Sequence, residues 1–140
     1  MEKEKNYLKV LQNKKVDGVI LAPAGGDDRY IREVINRGIP LVLIDRLIDD
    51  LDVDGVIIDN VSGAYEGVSH LVSEGYRRIG IITGPLGIMT ARERFDGYKK
   101  ALLAAGIEID ENLVEDGRYT QEGGYRAAKR LIEKANPDAI

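Results

Sequence analysis

Cysteine is absent from the sequence and histidine occurs once, at position 70. Without thiols, disulfides, thiolate zinc sites and cysteine nucleophiles are excluded. His70 has no second ligand or nucleophile at a usable spacing, so the sequence predicts neither a histidine metal site nor a catalytic triad. We expect His70 to be a surface or packing residue. No G-x-S-x-G motif or prominent carboxylate pair is present either, and the residues predict a protein that is not an enzyme and carries no cofactor.

Long apolar runs and an excess of positive charge are also missing. The chain has 140 residues, with 20 Lys and Arg against 24 Asp and Glu and a net charge of −4. This balance argues against DNA binding by these residues, because phosphate binding needs a positive face. No run approaches the roughly 20 apolar residues of a membrane span, and no apolar h-region follows Met1. We expect a soluble, cytoplasmic protein of one domain or two small lobes.

The hydrophobic spacing alternates between strand-like runs and helical stripes. Short apolar runs rich in branched residues are typical of parallel strands covered on both faces, and they lie at 16–22, 40–45, 53–59 and 78–83. Between them, the helical stripes give the order α-β-α-β-β-α-β-α-β-α. This order predicts the α/β class, with parallel strands joined by right-handed crossovers. Two tyrosines, Tyr98 and Tyr125, lie on apolar helix faces, where we expect them to pack in the core.

A strand, a Gly-Pro turn and a helix follow one another around Thr83. Thr90 and Glu93 have the spacing of a capping box, which would place Arg92 and Arg94 in the first turn or just after it. Cations at that position oppose the helix dipole. Because open α/β sheets bind ligands beyond the carboxyl ends of their strands, the two arginines are candidate ligand-binding residues. A solvated charge or an ion pair with a neighbouring carboxylate is the alternative.

The glycine-rich turn at 22–28 also follows a predicted strand. It lacks the pattern of a phosphate-binding loop and the spaced glycines of a dinucleotide site. We therefore interpret it as a tight turn in which Asp27 or Asp28 caps the next helix.

A third strand end lies at residues 59–63. Asn60 or Ser62 could cap the helix that follows, and Gly63 and Gly67 share a helix face on which they would allow close packing. Asp59 and Asn60 could face the same cleft as the arginines. Both assignments remain open at this stage.

Several segments together resemble the effector-binding domain of the LacI/GalR family of bacterial transcription repressors. The combination is specific although each piece alone is weak, and it covers essentially the whole chain. The matching stretches are Val16–Leu21, Gly38–Arg46, Ile58–Ala64, His70–Gly80, Thr83–Pro85, Arg94–Tyr98 and Gly117–Ala128.

The resemblance implies two flavodoxin-like α/β lobes, similar to periplasmic sugar-binding proteins, that hold a small effector in a cleft. Residues 1–76 would belong to the N-terminal lobe and residues 77–140 to the C-terminal lobe. Arg94 matches the arginine of the family's R-x-x-G-aromatic pattern, which typically contacts the effector. Thr83 would lie near the cleft, and Ser62 near a position where some members place a ligand-binding side chain. Tyr76 stands where the family usually has histidine, a change that we do not expect to alter binding.

The resemblance also indicates what the chain lacks. The family's helix-turn-helix, its opening strand-helix-strand and everything after Ile140, including Asn-Asp and aspartate ligand contacts, are not represented. Both lobes would then be incomplete, with strand edges that invite pairing. We expect a homo-oligomer or a part of a longer protein, and operator DNA as a partner only through the missing domain.

Three functions compete at this stage. The first is a regulatory domain in which an effector shifts the lobe arrangement and thereby the operator affinity of an intact dimeric repressor. The second is a periplasmic-type sugar-binding protein of a transport system, which the repressor-like Thr-Gly-Pro and Arg-x-x-Gly-aromatic segments disfavour. The third is a small flavodoxin-like enzyme or cofactor protein, which the absent phosphate loop disfavours. A sugar or sugar phosphate is the expected effector, ahead of a nucleobase.

Overall fold

Helices and parallel strands alternate along the chain in the order predicted from the sequence. A computed structural model describes residues 2–24 and 28–140. The elements are α1 (Glu2–Asn13), β1 (Val19–Leu21), α2 (Arg29–Asn36), β2 (Leu41–Ile44), β3 (Asp54–Val56), α3 (Asn60–Ser73), β4 (Ile81–Thr83), α4 (Met89–Ala104), β5 (Val114–Asp116) and α5 (Gln121–Arg130). A 3₁₀ turn at Glu111–Leu113 precedes β5, and a π-helical turn at Leu131–Ala135 extends α5. Within the described ranges, no helix has the length and apolar character of a membrane span.

The chain divides into two compact units, which we call the N-terminal unit (Met1–Ile58) and the C-terminal unit (Asp59–Ile140). This division reflects contacts within the present chain. The lobe boundary expected between residues 76 and 77 refers to the family's complete domain and stays a prediction.

The N-terminal unit is built on a parallel sheet with strand order β1-β2-β3. Because side chains alternate along a strand, Leu43 faces the buried side of the sheet, in one apolar cluster with Ile31 and Val34 of α2. Ile20 and Val56 are exposed instead, Ile20 at 74%. The expectation that these strands are covered on both faces is therefore wrong for this sheet in the described residues.

The start of α2 was predicted to carry an aspartate cap. Asp28 occupies the N-cap position, but its side chain accepts no capping hydrogen bond. The other candidate, Asp27, lies outside the described residues.

The C-terminal unit is built on β4 and β5, which pair in parallel, and its core forms around Ile79, Tyr98 and Leu102. A parallel bridge also joins Ile79 to Ala139. Tyr98 packs in the core as predicted and is 1% exposed. Tyr125 does not, because it lies on the outer side of α5 and is 70% exposed.

Close packing of α3 against α4 depends on Gly97. A Cβ atom at this position would overlap the Val61 carbonyl oxygen and lie 2.8 Å from the Cβ atom of Ala64. The glycines expected to serve this purpose, Gly63 and Gly67, have no atom within 4 Å of an added Cβ. Close packing of the two helices is therefore present, but the glycine that permits it is on α4.

The buried hydroxyl of Tyr98 makes the stability of the chain sensitive to high pH. It donates a hydrogen bond of 2.8 Å to the Ile79 carbonyl. Burial, assisted by the negative charge of Asp110, raises the pKa of Tyr98 from 10.0 to about 12. The neutral phenol is thus favoured in the folded state, and the associated stability is present below pH 10 and lost as the pH rises towards 12.

We expect Tyr98→Phe to lower the free energy of unfolding at pH 7 by about 1 kcal/mol, because it leaves the Ile79 carbonyl without its donor. The difference between the two proteins should shrink between pH 10 and 12, where only the wild type has this phenol to ionise. Urea unfolding at several pH values measures both effects. A difference that stays constant up to pH 12 would show that ionisation of Tyr98 is not linked to folding.

Candidate functional site

The C-terminal unit contains all of the site residues predicted from the sequence. Asn60 and Ser62 lie in the first turn of α3, and Thr83 is the last residue of β4. Arg92 and Arg94 lie in the first half of α4, which follows β4 after a short turn. The starts of two helices, α3 and α4, and the carboxyl end of β4 thus supply the candidate site.

Asp59 caps α3, in place of the predicted Asn60 or Ser62. Its Oδ1 accepts a hydrogen bond of 2.9 Å from the Ser62 backbone N–H, and its Oδ2 accepts one of 2.7 Å from the Ser62 hydroxyl. These two bonds, the backbone one first, hold the pKa of the Asp59 carboxyl below its ordinary value. The Ser62 hydroxyl is engaged as a donor within this cap, and the Asn60 side chain is not needed there.

Asn60 joins α3 to α4 through its side-chain amide. The Nε atom of Arg94 donates to the Asn60 oxygen Oδ1 at 2.8 Å, and the Asn60 nitrogen Nδ2 donates to Glu93 Oε2 at 3.0 Å. Asn60 is 4% exposed, whereas the Arg94 side chain reaches the surface. The predicted alternative of an ion pair with a neighbouring carboxylate is not what the structure shows for Arg94, because its partner is a neutral amide and Asp96 pairs with Lys99.

Arg94 uses one of its donors in this contact. A guanidinium carries five N–H donors in a planar fork. Within the described residues its terminal Nη groups have no hydrogen-bond partner. The guanidinium is thus anchored at Nε, and its Nη groups are suited to donating hydrogen bonds to oxygen atoms of a ligand.

Arg92 lies at the end of the first turn of α4, where its backbone N–H donates to the Ile88 carbonyl. The predicted capping box is absent. The helix begins at Met89, its N-cap residue is Ile88, and no side chain caps it. Thr90 is buried instead. Arg92 is exposed and, unlike Arg94, makes no side-chain hydrogen bond within residues 2–24 and 28–140.

Thr83 is buried at the carboxyl end of β4, where its carbonyl accepts a hydrogen bond from the Gly117 backbone N–H. Beside it lies Tyr119, whose ring covers Gly84 so closely that a Cβ there would overlap the ring. Tyr119 is 54% exposed and has a left-handed backbone, with φ of 52°.

Tyr119 was not identified from the sequence. The signal was available, since the turn after β5 must meet the turn after β4 at the same edge of a parallel sheet. An exposed aromatic ring at that edge offers a flat apolar surface to a ligand.

A polar groove of about 430 Å³ continues from the carboxyl end of β5 along α5. Its charged lining residues are Glu115, Asp116, Arg118, Glu122, Arg126 and Arg130. Glu115 accepts two hydrogen bonds from Arg130, at 2.9 and 2.7 Å, which lowers the pKa of Glu115. Because acidic and basic side chains are equally represented, the groove offers both donors and acceptors without a strong net charge.

Candidate ligand contacts at the carboxyl ends of parallel strands are typical of α/β proteins that bind small molecules. The sequence matches the family described as "Periplasmic binding proteins and sugar binding domain of LacI family" over residues 1–140. The chain belongs to this family, which confirms both the resemblance and the predicted fold class.

Characterised relatives are transcription regulators. The chain is 34% identical over 142 residues to the HTH-type transcriptional regulator DegA of Bacillus subtilis, covering 99% of the chain and 42% of DegA. It is 38% identical over 130 residues to the HTH-type transcriptional regulator CelR of Thermobifida fusca, covering 91% of the chain and 38% of CelR. The chain thus spans about two fifths of the length of these relatives, and they favour a regulator over a transport protein.

Solved structures show the same fold. The transcriptional regulator CelR–cellobiose complex matches with a TM-score of 0.83 and 35% identity over 94% of this chain and 41% of that one. The transcription regulator CcpA of Lactococcus lactis matches with a TM-score of 0.84 and 36% identity over 95% of this chain and 49% of that one. Both proteins are transcription regulators, and this chain shares their fold.

Proposed function

We propose that this chain is the effector-binding part of a LacI-type transcription regulator and that its effector is a sugar or sugar phosphate. The observation that carries the proposal is the arrangement of Arg94, whose Nε donates to Asn60 while its terminal nitrogens have no hydrogen-bond partner among residues 2–24 and 28–140. We assign effector contact to Arg94, with Thr83, Asn60, Arg92 and Ser62 lining the same site.

Four further observations support a sugar. Tyr119 presents an exposed aromatic ring next to Thr83, and the groove along α5 supplies both donors and acceptors, which suits a ligand rich in hydroxyl groups. The family description names a sugar-binding domain, and the CelR structure is a complex with cellobiose. A phosphate on the sugar would place an anion near Arg92 and Arg94, where a bidentate contact is favourable.

Regulation follows if effector binding changes the arrangement of the two lobes, with residues 1–76 in one and residues 77–140 in the other. In the intact regulator, which we expect to be a cytoplasmic homo-oligomer, that change would alter the affinity of a separate domain for operator DNA. The effector and the DNA then influence one another only through the conformation of the protein.

A thermal-shift screen tests the proposal. The chain and the intact regulator are heated with sugars, sugar phosphates and purines, each well above its expected Kd. A ligand at 100 times its Kd stabilises the folded state by about 2.7 kcal/mol, so we expect a specific rise in the Tm of the intact regulator with one sugar or sugar phosphate. A rise with purines alone would contradict the sugar assignment, and no rise with any compound would contradict effector binding.

A further inference from the structure

We propose that Glu93 is a positioning residue that orients Arg94 through the amide of Asn60. The three side chains form a relay across two helices. Glu93 Oε2 accepts from Asn60 Nδ2 at 3.0 Å, and Asn60 Oδ1 accepts from Arg94 Nε at 2.8 Å. The inference rests on the proposed function in that Arg94 is the residue assigned to the effector.

The chemistry of the three groups allows only one orientation of the amide. A guanidinium can only donate, so Arg94 requires the amide oxygen. An ionised carboxylate can only accept, so Glu93 requires the amide nitrogen. Rotation of the amide by half a turn would bring donor against donor and acceptor against acceptor, and Asn60 is too buried for water to compensate both losses. The carboxylate of Glu93 therefore selects the orientation that presents an acceptor to Arg94.

Asn60 and Glu93 can pair with one another because neither residue caps its helix. Asn60 begins α3, but Asp59 caps that helix. Glu93 has the spacing of a capping-box residue, but α4 has no side-chain cap. Neither Asn60 nor Glu93 is engaged as a helix cap, and the two side chains meet across the contact between α3 and α4.

Because the Asn60 amide stands between Glu93 and Arg94, the Arg94 guanidinium contacts a neutral group at Nε. A direct pair between Glu93 and Arg94 would set a carboxylate against the guanidinium, whereas Asn60 separates them. Arg94 is held at Nε by a neutral group and keeps its terminal donors for the ligand. Glu93 fixes the direction of the side chain without occupying the donors that face outward.

The first test measures the hydrogen exchange of the Arg94 Nε–H by ¹⁵N–¹H NMR in this chain, with the signal assigned by its loss in Arg94→Lys. We expect Glu93→Ala to speed this exchange about tenfold, the equivalent of one hydrogen bond. Glu93→Gln should exchange at nearly the wild-type rate, because a glutamine oxygen can accept from Asn60 Nδ2. Unchanged exchange in Glu93→Ala, or equal acceleration in both variants, would overturn the proposal.

The second test reverses the direction of the hydrogen bond between residues 60 and 93. Asn60→Asp places a second carboxylate beside Glu93 and should lower the Tm by several degrees. Adding Glu93→Gln should recover that loss, because glutamine donates where aspartate accepts. The same Glu93→Gln substitution should be nearly neutral next to Asn60. A Tm that does not recover in the double variant would contradict the relay.

These outcomes are separate from those that test the proposed function. Both measurements are made without ligand, so the Arg94 Nε–H exchange and the pairing of residues 60 and 93 are tested whether or not an effector has been identified. A relay that behaves as expected in a protein whose Arg94 has no effect on effector binding would refute the proposed site and retain the structural assignment of Glu93.

Discussion

Arg94→Ala is expected to weaken effector binding by the intact regulator by about 1.5–3 kcal/mol, the contribution of a charged hydrogen bond. This corresponds to a loss of roughly 10-fold to 150-fold in affinity. Arg94 is pre-positioned by its contact with Asn60 and presents its remaining donors outward, so the ligand need not order the side chain on binding. Isothermal titration with the sugar found in the thermal screen measures the change.

Arg94→Ala should also lower the free energy of unfolding by about 1 kcal/mol, because it leaves the buried Asn60 oxygen without this donor, so the affinities are compared where both proteins are folded. Lys129→Ala is a matched control, since Lys129 is also an exposed helical cation, on α5, in a weak 3.7 Å pair with Glu133 of the π-helical turn that follows. This substitution should leave the effector affinity unchanged.

Arg92→Ala should lose less effector affinity than Arg94→Ala, because Arg92 lacks an anchoring contact in the described part of the chain. Wild-type affinity in Arg94→Ala would show that the site is assigned to the wrong residue.

Gly97→Ala is expected to destabilise this chain by about 1–3 kcal/mol, the usual penalty for overpacking. The added Cβ would overlap the Val61 carbonyl oxygen, and backbone cannot move aside as a flexible side chain can. The shift of α3 against α4 should also stretch the 2.8 Å bond between Asn60 and Arg94. Urea unfolding measures the first effect, and the Arg94 Nε–H signal reports the second.

Gly67→Ala is the matched control for this substitution. Gly67 also lies inside a helix, but an added Cβ would have no atom within 4 Å. Alanine should therefore stabilise the chain by about 0.5–1 kcal/mol through helix propensity alone. Equal effects of the two substitutions would contradict the assignment of Gly97 as the contact point between α3 and α4.

The R-x-x-G-aromatic pattern was identified from the sequence as a ligand signature, and the structure divides it into separate physical roles. Gly97 permits the approach of α3, and the buried Tyr98 donates a hydrogen bond to the Ile79 carbonyl, two residues before β4. Only Arg94 is directed outward. A pattern of this kind marks a site because packing residues and a ligand contact must occur at fixed spacing on one helix.

Element order and parallel pairing were predictable because they depend on hydrophobic period, which the sequence displays directly. Helix starts were not. The segment Asp59-Asn60-Val61-Ser62 offers three residues with similar capping preference, and only the backbone path decides that Asp59 accepts the bonds. The contact between Asn60 and Arg94 likewise joins residues far apart in sequence, so spacing alone could suggest a shared cleft but not the bond.

Hydrophobic periodicity also could not predict which apolar residues are exposed. Tyr125 lies on an apolar stripe of α5, and Ile20 lies in an apolar strand, yet both are exposed. Periodicity shows which residues share a face of an element. It does not show whether a second element covers that face.

The most direct test of the central claim is the affinity of the intact regulator for its operator DNA, measured with and without the sugar, for the wild type and Arg94→Ala. If the sugar acts through the Arg94 site, it should change the operator affinity of the wild type by about 5-fold to 150-fold, the usual range of allosteric coupling. Arg94→Ala should need a correspondingly higher sugar concentration for the same response. Identical sugar responses in the two proteins, or a sugar that binds without changing operator affinity, would contradict the account.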